Sequence, residues 1–249
     1  MPNILILGGT TEASALAVAC AEGAIPTTLS YAGRTASPRT QPVAVRVGGF
    51  GGAVGLAAYL RRERITHLVD ATHPFAARIS ANAVAAADTA GVPLVALTRP
   101  AWRAQAGDRW QRVPDVAGAV EALGGPPLRV MLAVGRMHVA DFAARPQHAY
   151  LLRFVDRPEA PPALPRHHLV VDRGPFTVDG DRRLMEAHGI DLVVAKNAGG
   201  GGAAAKLHAA RALGLPVVMI DRPPLPPRRE LHDVATVLDW LDHGAERGV

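Results

Sequence analysis

At 249 residues the chain can bury a full hydrophobic core, as one large domain or two smaller ones. Apolar residues make up 49% and charged residues 20%, the balance of a globular protein in water, and no apolar run is long enough to cross a membrane. The single cysteine, Cys20, excludes an internal disulfide, and MPNILILGG opens without a basic leader, so a cytoplasmic protein is expected. The net charge of +5 suits an anionic partner, but the arginines are scattered and only 4% of residues are aromatic. That excludes the basic, stacking surfaces of nucleic-acid binders and leaves small anions open.

NILILG (3–8) predicts a first strand, which runs through Gly8-Gly9-Thr10-Thr11-Glu12-Ala13 into the helical pattern TEASALAVACAEG. This is a degenerate dinucleotide fingerprint, with Thr10 at the second glycine position and Ala13 at the third. Gly8 and Gly9 allow the tight turn, free N–H groups at the helix start face an anion, and Thr10 or Thr11 can add a hydroxyl. An ordinary glycine turn is the alternative. Cys20 falls inside the helix pattern as a small core residue.

PTTLSYAG (26–33) predicts the second strand. An NAD site places an acid at its end, whereas Ser30, Arg34 and Thr35 stand here. A guanidinium binds a 2′-phosphate in bidentate fashion, so NADPH is the expected cofactor, with Arg39 a second candidate for that role. Both arginines can equally be exposed and unpartnered. PVAVRVGG (42–49) predicts the third strand, and GGFGG (48–52), with Gly49 and Phe50, either passes beneath the adenine or forms a plain turn.

A helical pattern, GAVGLAAYLRRER, leads to the fourth strand, HLVDAT (67–72), which breaks into Asp70, Thr72, His73 and Pro74 before FAARISANAVAAADTAG. The polar cluster reads as a helix cap or as the wall of a reaction cleft, with Pro74 opening the helix. VPLVALT (92–98) is the fifth strand. LRVMLAVG (128–135), AYLLRFV (149–155), HLVVDRG (168–174), DLVVAKN (191–197) and LPVVMIDR (215–222) repeat the habit. Near-continuous apolar strands alternating with helices predict an α/β fold with parallel sheets covered on both faces. GVPLVALTRP (91–100) is echoed by GLPVVMIDRP (214–223), which predicts two duplicated domains, 1–125 and 126–249, hinged at Gly124-Gly125-Pro126-Pro127.

Cations stand at the strand ends of the second half: Arg136 and His138, Arg173, Lys196 beside Asn197, and Arg222, with Lys206 and Arg211 on the next helix. Lys196 and Lys206 are the only lysines. Each cation alone reads as a solvated charge, and together they suit a polyanion. No HExxH, CxxC or GxSxG occurs, so neither a metal site nor a nucleophilic triad is expected.

ILILGGTTEA, SYAGR, GGFGG, DATHPFA, AKNAGG and PVVMIDRP together resemble the precorrin-6A reductase family of cobalamin (vitamin B12) biosynthesis, from Ile4 to about Trp240. The resemblance implies two Rossmann-like domains, NADPH mainly on the first, and reduction of one double bond in a polycarboxylated tetrapyrrole to give precorrin-6B. It places Thr72 and His73 near the nicotinamide. His73 is a candidate proton donor, beside water and the substrate's own carboxylates, or merely a cap. Gly8, Gly9, Thr10, Thr11, Glu12, Ser30, Arg34, Thr35, Gly49 and Phe50 would hold the cofactor. Arg136, Arg173, Lys196, Asn197, Lys206 and Arg211 would hold the tetrapyrrole. Transient contact with other enzymes of the pathway is also implied. A two-lobed transferase with a nucleotide-linked donor and a non-catalytic nucleotide-binding protein share the glycine turn and the cations.

Overall fold

The computed structural model describes residues 2–32 and 40–245. Ten strands stand where the apolar runs predict them. The first half contains β1 (Ile4–Leu7), β2 (Thr27–Tyr31), β3 (Ala44–Val47), β4 (His67–Asp70) and β5 (Leu94–Leu97). The second contains β7 (Arg129–Ala133), β8 (Ala149–Phe154), β9 (His167–Val171), β10 (Leu192–Lys196) and β11 (Pro216–Ile220). Two further strands, β6 (Arg109–Val113) and β12 (Arg229–Leu231), have no apolar signature. The helices are α1 (Thr11–Glu22), α2 (Gly52–Arg62), α3 (Ala77–Ala90), α4 (Val116–Ala122), α5 (Val178–Ala187), α6 (Ala205–Ala212) and α7 (Val234–Ala245).

The strands form two six-stranded sheets, ordered β12-β5-β4-β1-β2-β3 and β6-β11-β10-β7-β8-β9, with every pairing parallel. The α/β expectation therefore holds, and the two orders match strand for strand. The boundary expected at residue 125 does not describe this division. One unit comprises the chain to Pro100 and again from Pro224, and the other comprises Ala101–Pro223. The physical reason is an exchange of edge strands. β6 pairs with β11 rather than β5, and β12, near the chain's end, pairs with β5. The Gly-Gly-Pro-Pro stretch joins α4 to β7 inside the second unit.

Side chains alternate across each sheet as the strand period requires. In the first unit Ile4 and Ile6 pack with Leu16, Cys20 and Leu241 on the face covered by α1 and α7. Leu5 and Leu7 pack with Leu56, Leu60 and Ala83 on the face covered by α2 and α3. Cys20 is buried, and burial pushes its thiol up from its ordinary value, as befits an inert core residue. In the second unit Met131, Val193, Val217 and Met219 pack against Met185 of α5 and Leu207 of α6. Among the described residues no helix is long and apolar enough to cross a membrane.

Candidate functional site

In the first unit the sheet order reverses between β1 and β4, the position at which open parallel sheets bind ligands. The turn after β1 is built for close approach. A Cβ on Gly8 would meet Leu29 Cδ1 at 2.7 Å, and Gly9 has φ +127°, a conformation that disfavours side chains. Among the described residues nothing lies within 4 Å of where a Gly9 Cβ would stand, so they leave the space above this turn open. Thr10 caps α1, accepting from the Ala13 N–H at 3.1 Å, and donates to the Ala71 carbonyl at 2.8 Å. Its hydroxyl thus ties the glycine turn to the end of β4 rather than facing a phosphate. The N–H groups of Thr11 and Glu12 have no intrahelical partners and sit at the positive end of the helix dipole. This cradle fits a dinucleotide pyrophosphate. Glu12 accepts from Thr11 and lies 3.4 Å from the Arg99 guanidinium, which offsets its charge beside that cradle.

The corner after β4 is a fixed polar network. Asp70, 2% exposed, accepts through Oδ1 from the Thr72 N–H at 3.1 Å and the Thr72 hydroxyl at 2.6 Å. Its Oδ2 accepts from Arg228, which arrives on the segment before β12. Among the described residues the buried Arg228 Nε has no hydrogen-bond partner, and it lies 3.6 Å from the Glu230 carboxylate. Thr72 Oγ1 also lies 3.2 Å from Ser80 Oγ in α3. With its proton directed at Asp70, Thr72 shapes the corner. His73 is exposed, and its Nδ1 accepts from the Phe75 N–H at 3.2 Å, which leaves the proton of the neutral ring on Nε2. Pro74 does not open the helix as expected. It sits in a turn closed by the Ala76 N–H on the His73 carbonyl at 2.7 Å, and α3 begins at Ala77.

Ser30, at the end of β2, accepts from Gly8 N–H through its carbonyl at 2.9 Å and from Arg46 Nη1 through its hydroxyl at 3.2 Å. The Arg46 guanidinium of β3 also donates to the Gly48 and Gly49 carbonyls and lies 3.8 Å from the centre of the Phe50 ring. Arg46 was not among the residues singled out from the sequence, although a lone charge inside PVAVRVGG was a usable signal. Arg34, Thr35 and Arg39 lie outside the described residues.

In the second unit the cations separate by environment. Asn197, 6% exposed, accepts from the Trp102 N–H at 2.8 Å and donates to the Trp102 carbonyl at 3.0 Å, so both ends of its amide are engaged. Arg222 donates to the carbonyls of Asn197 and Ala198. Lys206, 7% exposed, donates to the Ala203 carbonyl at 2.5 Å and stands 5.2 Å above the Trp102 ring. Arg211 holds Asp108 through both carboxylate oxygens, at 2.8 and 3.0 Å. Arg173 pairs with Asp156 at the surface. These contacts brace the strand ends. Lys196, half-buried at the end of β10, has its ammonium pushed down to about 8 by burial, with Asp141 acting in the opposite direction. Exposed Arg136 borders a cavity of about 410 Å³ whose walls include Val139, Phe154, Pro158 and Glu159. Among the described residues no group of histidine, cysteine, aspartate and glutamate has metal-holding geometry.

Residues 3–242 match the family model described as precorrin-6x reductase CbiJ/CobK. The precorrin-6A reductase of Rhodobacter capsulatus is 57% identical over 251 residues, with 100% of both chains covered. The precorrin-6A reductase of Rhodococcus erythropolis is 48% identical, covering 97% of this chain and 98% of the relative. A solved structure of CobK precorrin-6A reductase superposes with a TM-score of 0.94 at 55% identity, with both chains fully covered. With the glycine turn, the β4 corner and both sheets inside the matched span, the chain belongs to the precorrin-6x reductase CbiJ/CobK family.

Proposed function

We propose that the chain reduces precorrin-6A to precorrin-6B at the expense of NADPH, adding a hydride and a proton across one double bond of the tetrapyrrole. The observation that carries this reading is the Thr10–Ala71 hydrogen bond, which fixes the anion-binding turn after β1 against the polar corner after β4. NADPH bound there would supply the hydride. Gly9 and the N–H groups of Thr11 and Glu12 would hold its pyrophosphate, Gly8 would let the turn pack on Leu29, and the Asp70–Thr72 network would orient the corner. His73 offers its Nε2–H as the proton source, in competition with water and the substrate's carboxylates. Lys196 and Arg136 bind ring carboxylates on the second unit, where Arg173, Asn197, Lys206 and Arg211 keep the strand ends in shape. The buried Cys20 thiol suits a cytoplasmic setting. A purified chain given precorrin-6A and NADPH should consume the reduced nicotinamide in proportion to precorrin-6B formed. Cofactor binding without oxidation would instead favour a non-catalytic nucleotide-binding protein.

Lys196 gives this reading a pH signature. Carboxylate binding needs the ammonium form, so precorrin-6A binding should weaken as pH rises through about 8, raising KM more than it lowers kcat. Lys196→Arg should flatten that limb, because a guanidinium stays charged. Stability moves the other way. Between about 8 and the ordinary lysine value of 10.5 the unfolded chain holds the extra proton, so folding stability rises with pH across that window. Lys196→Met should abolish this rise in denaturant titrations.

A further inference from the structure

We propose that Arg46, with Ser30 beside it, reads the 2′-phosphate of the cofactor and so sets the preference for NADPH over NADH; this rests on the nicotinamide reading above. In a dinucleotide site the adenosine ribose lies over the end of the second strand. Here that strand ends at Ser30 and Tyr31, and Ser30 is joined to the glycine turn through the Gly8 N–H. The Arg46 guanidinium reaches the same place from the neighbouring strand, 3.2 Å from the Ser30 hydroxyl. No carboxylate pairs with it among the described residues.

The group is held ready for an anion. Nη1 donates to Ser30 Oγ and to the Gly48 carbonyl at 2.6 Å, Nη2 donates to the Gly49 carbonyl at 2.7 Å, and the plane lies against Phe50 with Tyr59 at 5.3 Å. Among the described residues these bonds leave two of the five guanidinium N–H groups without a partner. A flat fork already fixed by stacking and carbonyls loses little further freedom when it closes on a phosphate. The β2 and β3 ends offer no acid to accept hydrogen bonds from a free 2′-hydroxyl, so the arrangement discriminates as well as binds. A mere brace for the Gly48–Gly52 turn would make the same internal contacts and would show no interest in the 2′ position.

The test is calorimetric titration of the full chain with adenosine 2′,5′-bisphosphate and with adenosine 5′-monophosphate, which differ only in the 2′-phosphate. The unmutated chain should prefer the bisphosphate. Arg46→Gln, which keeps a polar stem against Phe50, should cut the ratio of the two affinities by about 10- to 100-fold, the range for losing charge-assisted hydrogen bonds. Arg46→Lys, which keeps the charge without the fork, should give an intermediate ratio. Because the ratio is read, general damage to the turn cancels. An unchanged ratio in Arg46→Gln, or a ratio lost in Arg34→Ala and kept in Arg46→Gln, overturns the assignment while leaving the nicotinamide reading intact. If the unmutated chain binds neither NADPH nor the bisphosphate, both fall together.

Discussion

Arg228→Met is expected to lower the unfolding free energy by about 3–5 kcal/mol, the usual cost of stranding one member of a buried ion pair. The Arg228 and Asp70 side chains are 7% and 1% exposed, so neither charge can turn to water when its partner is removed. Asp70 would keep its two hydrogen bonds from Thr72, which stabilise the carboxylate but do not neutralise it. Adding Asp70→Asn should recover much of the loss, because the amide keeps an Oδ1 acceptor for Thr72 and removes the unpaired charge. Equal stability of the single and double variants, measured by denaturant titration, would show that the pair's electrostatics does not hold the corner. The functional consequence follows from chain connectivity. Arg228 belongs to the segment that returns from the second unit to the first, so this pair anchors the exchanged strand β12 to the residues after β4.

The second large effect is expected for Asp181→Ala, again a loss of about 3–5 kcal/mol by the same physics. Asp181 lies in the first turn of α5 with its side chain 3% exposed and pairs with Arg153 near the end of β8, itself 11% exposed. The Arg153 guanidinium also stacks on Phe176, 3.6 Å from the ring centre, so the pair clamps the segment between β9 and α5 that carries Arg173. Removing Asp181 leaves a buried cation over an aromatic face, a contact worth about 2 kcal/mol even when desolvated, too little to offset the lost carboxylate. Thermal unfolding should fall sharply. Asp181→Asn should lie between the two, since it retains a hydrogen-bond acceptor without charge. An Asp181→Ala variant as stable as the parent would mean that the clamp is dispensable.

What was legible in the sequence was what local physics determines. Alternating apolar runs are dictated by burial on both sheet faces, and the strands they predict are present, down to Ile4 and Ile6 facing away from Leu5 and Leu7. The Gly8-Gly9 turn and the polar end of β4 were readable because strand-to-helix turns write their requirements into adjacent residues. β6 was invisible because its RWQRV carries mostly polar side chains, and β12 because three residues cannot establish a period. The domain boundary failed with them, since the exchange of those strands depends on pairing across long sequence separations.

The cations of the second unit show the same limit. Asn197 looked ready for a ligand, yet its partner Trp102 is 95 residues away, and Arg211 finds Asp108 at a separation of 103. No local pattern announces such partners. Desolvation of Lys196 was legible locally because it ends an apolar strand, and its lowered ammonium value is the consequence. Arg228 was hidden in a proline-rich stretch that reads as a linker, although it supplies a buried charge to the corner.

Hydride is proposed to pass from a phosphorylated nicotinamide, held at the glycine turn, to the tetrapyrrole. NADPH carrying deuterium at the transferable hydride position, given to the chain with precorrin-6A in ordinary water, tests it by mass spectrometry of the product. One deuterium is expected to be retained at carbon in precorrin-6B. Product formed without deuterium from either face-labelled cofactor would contradict it.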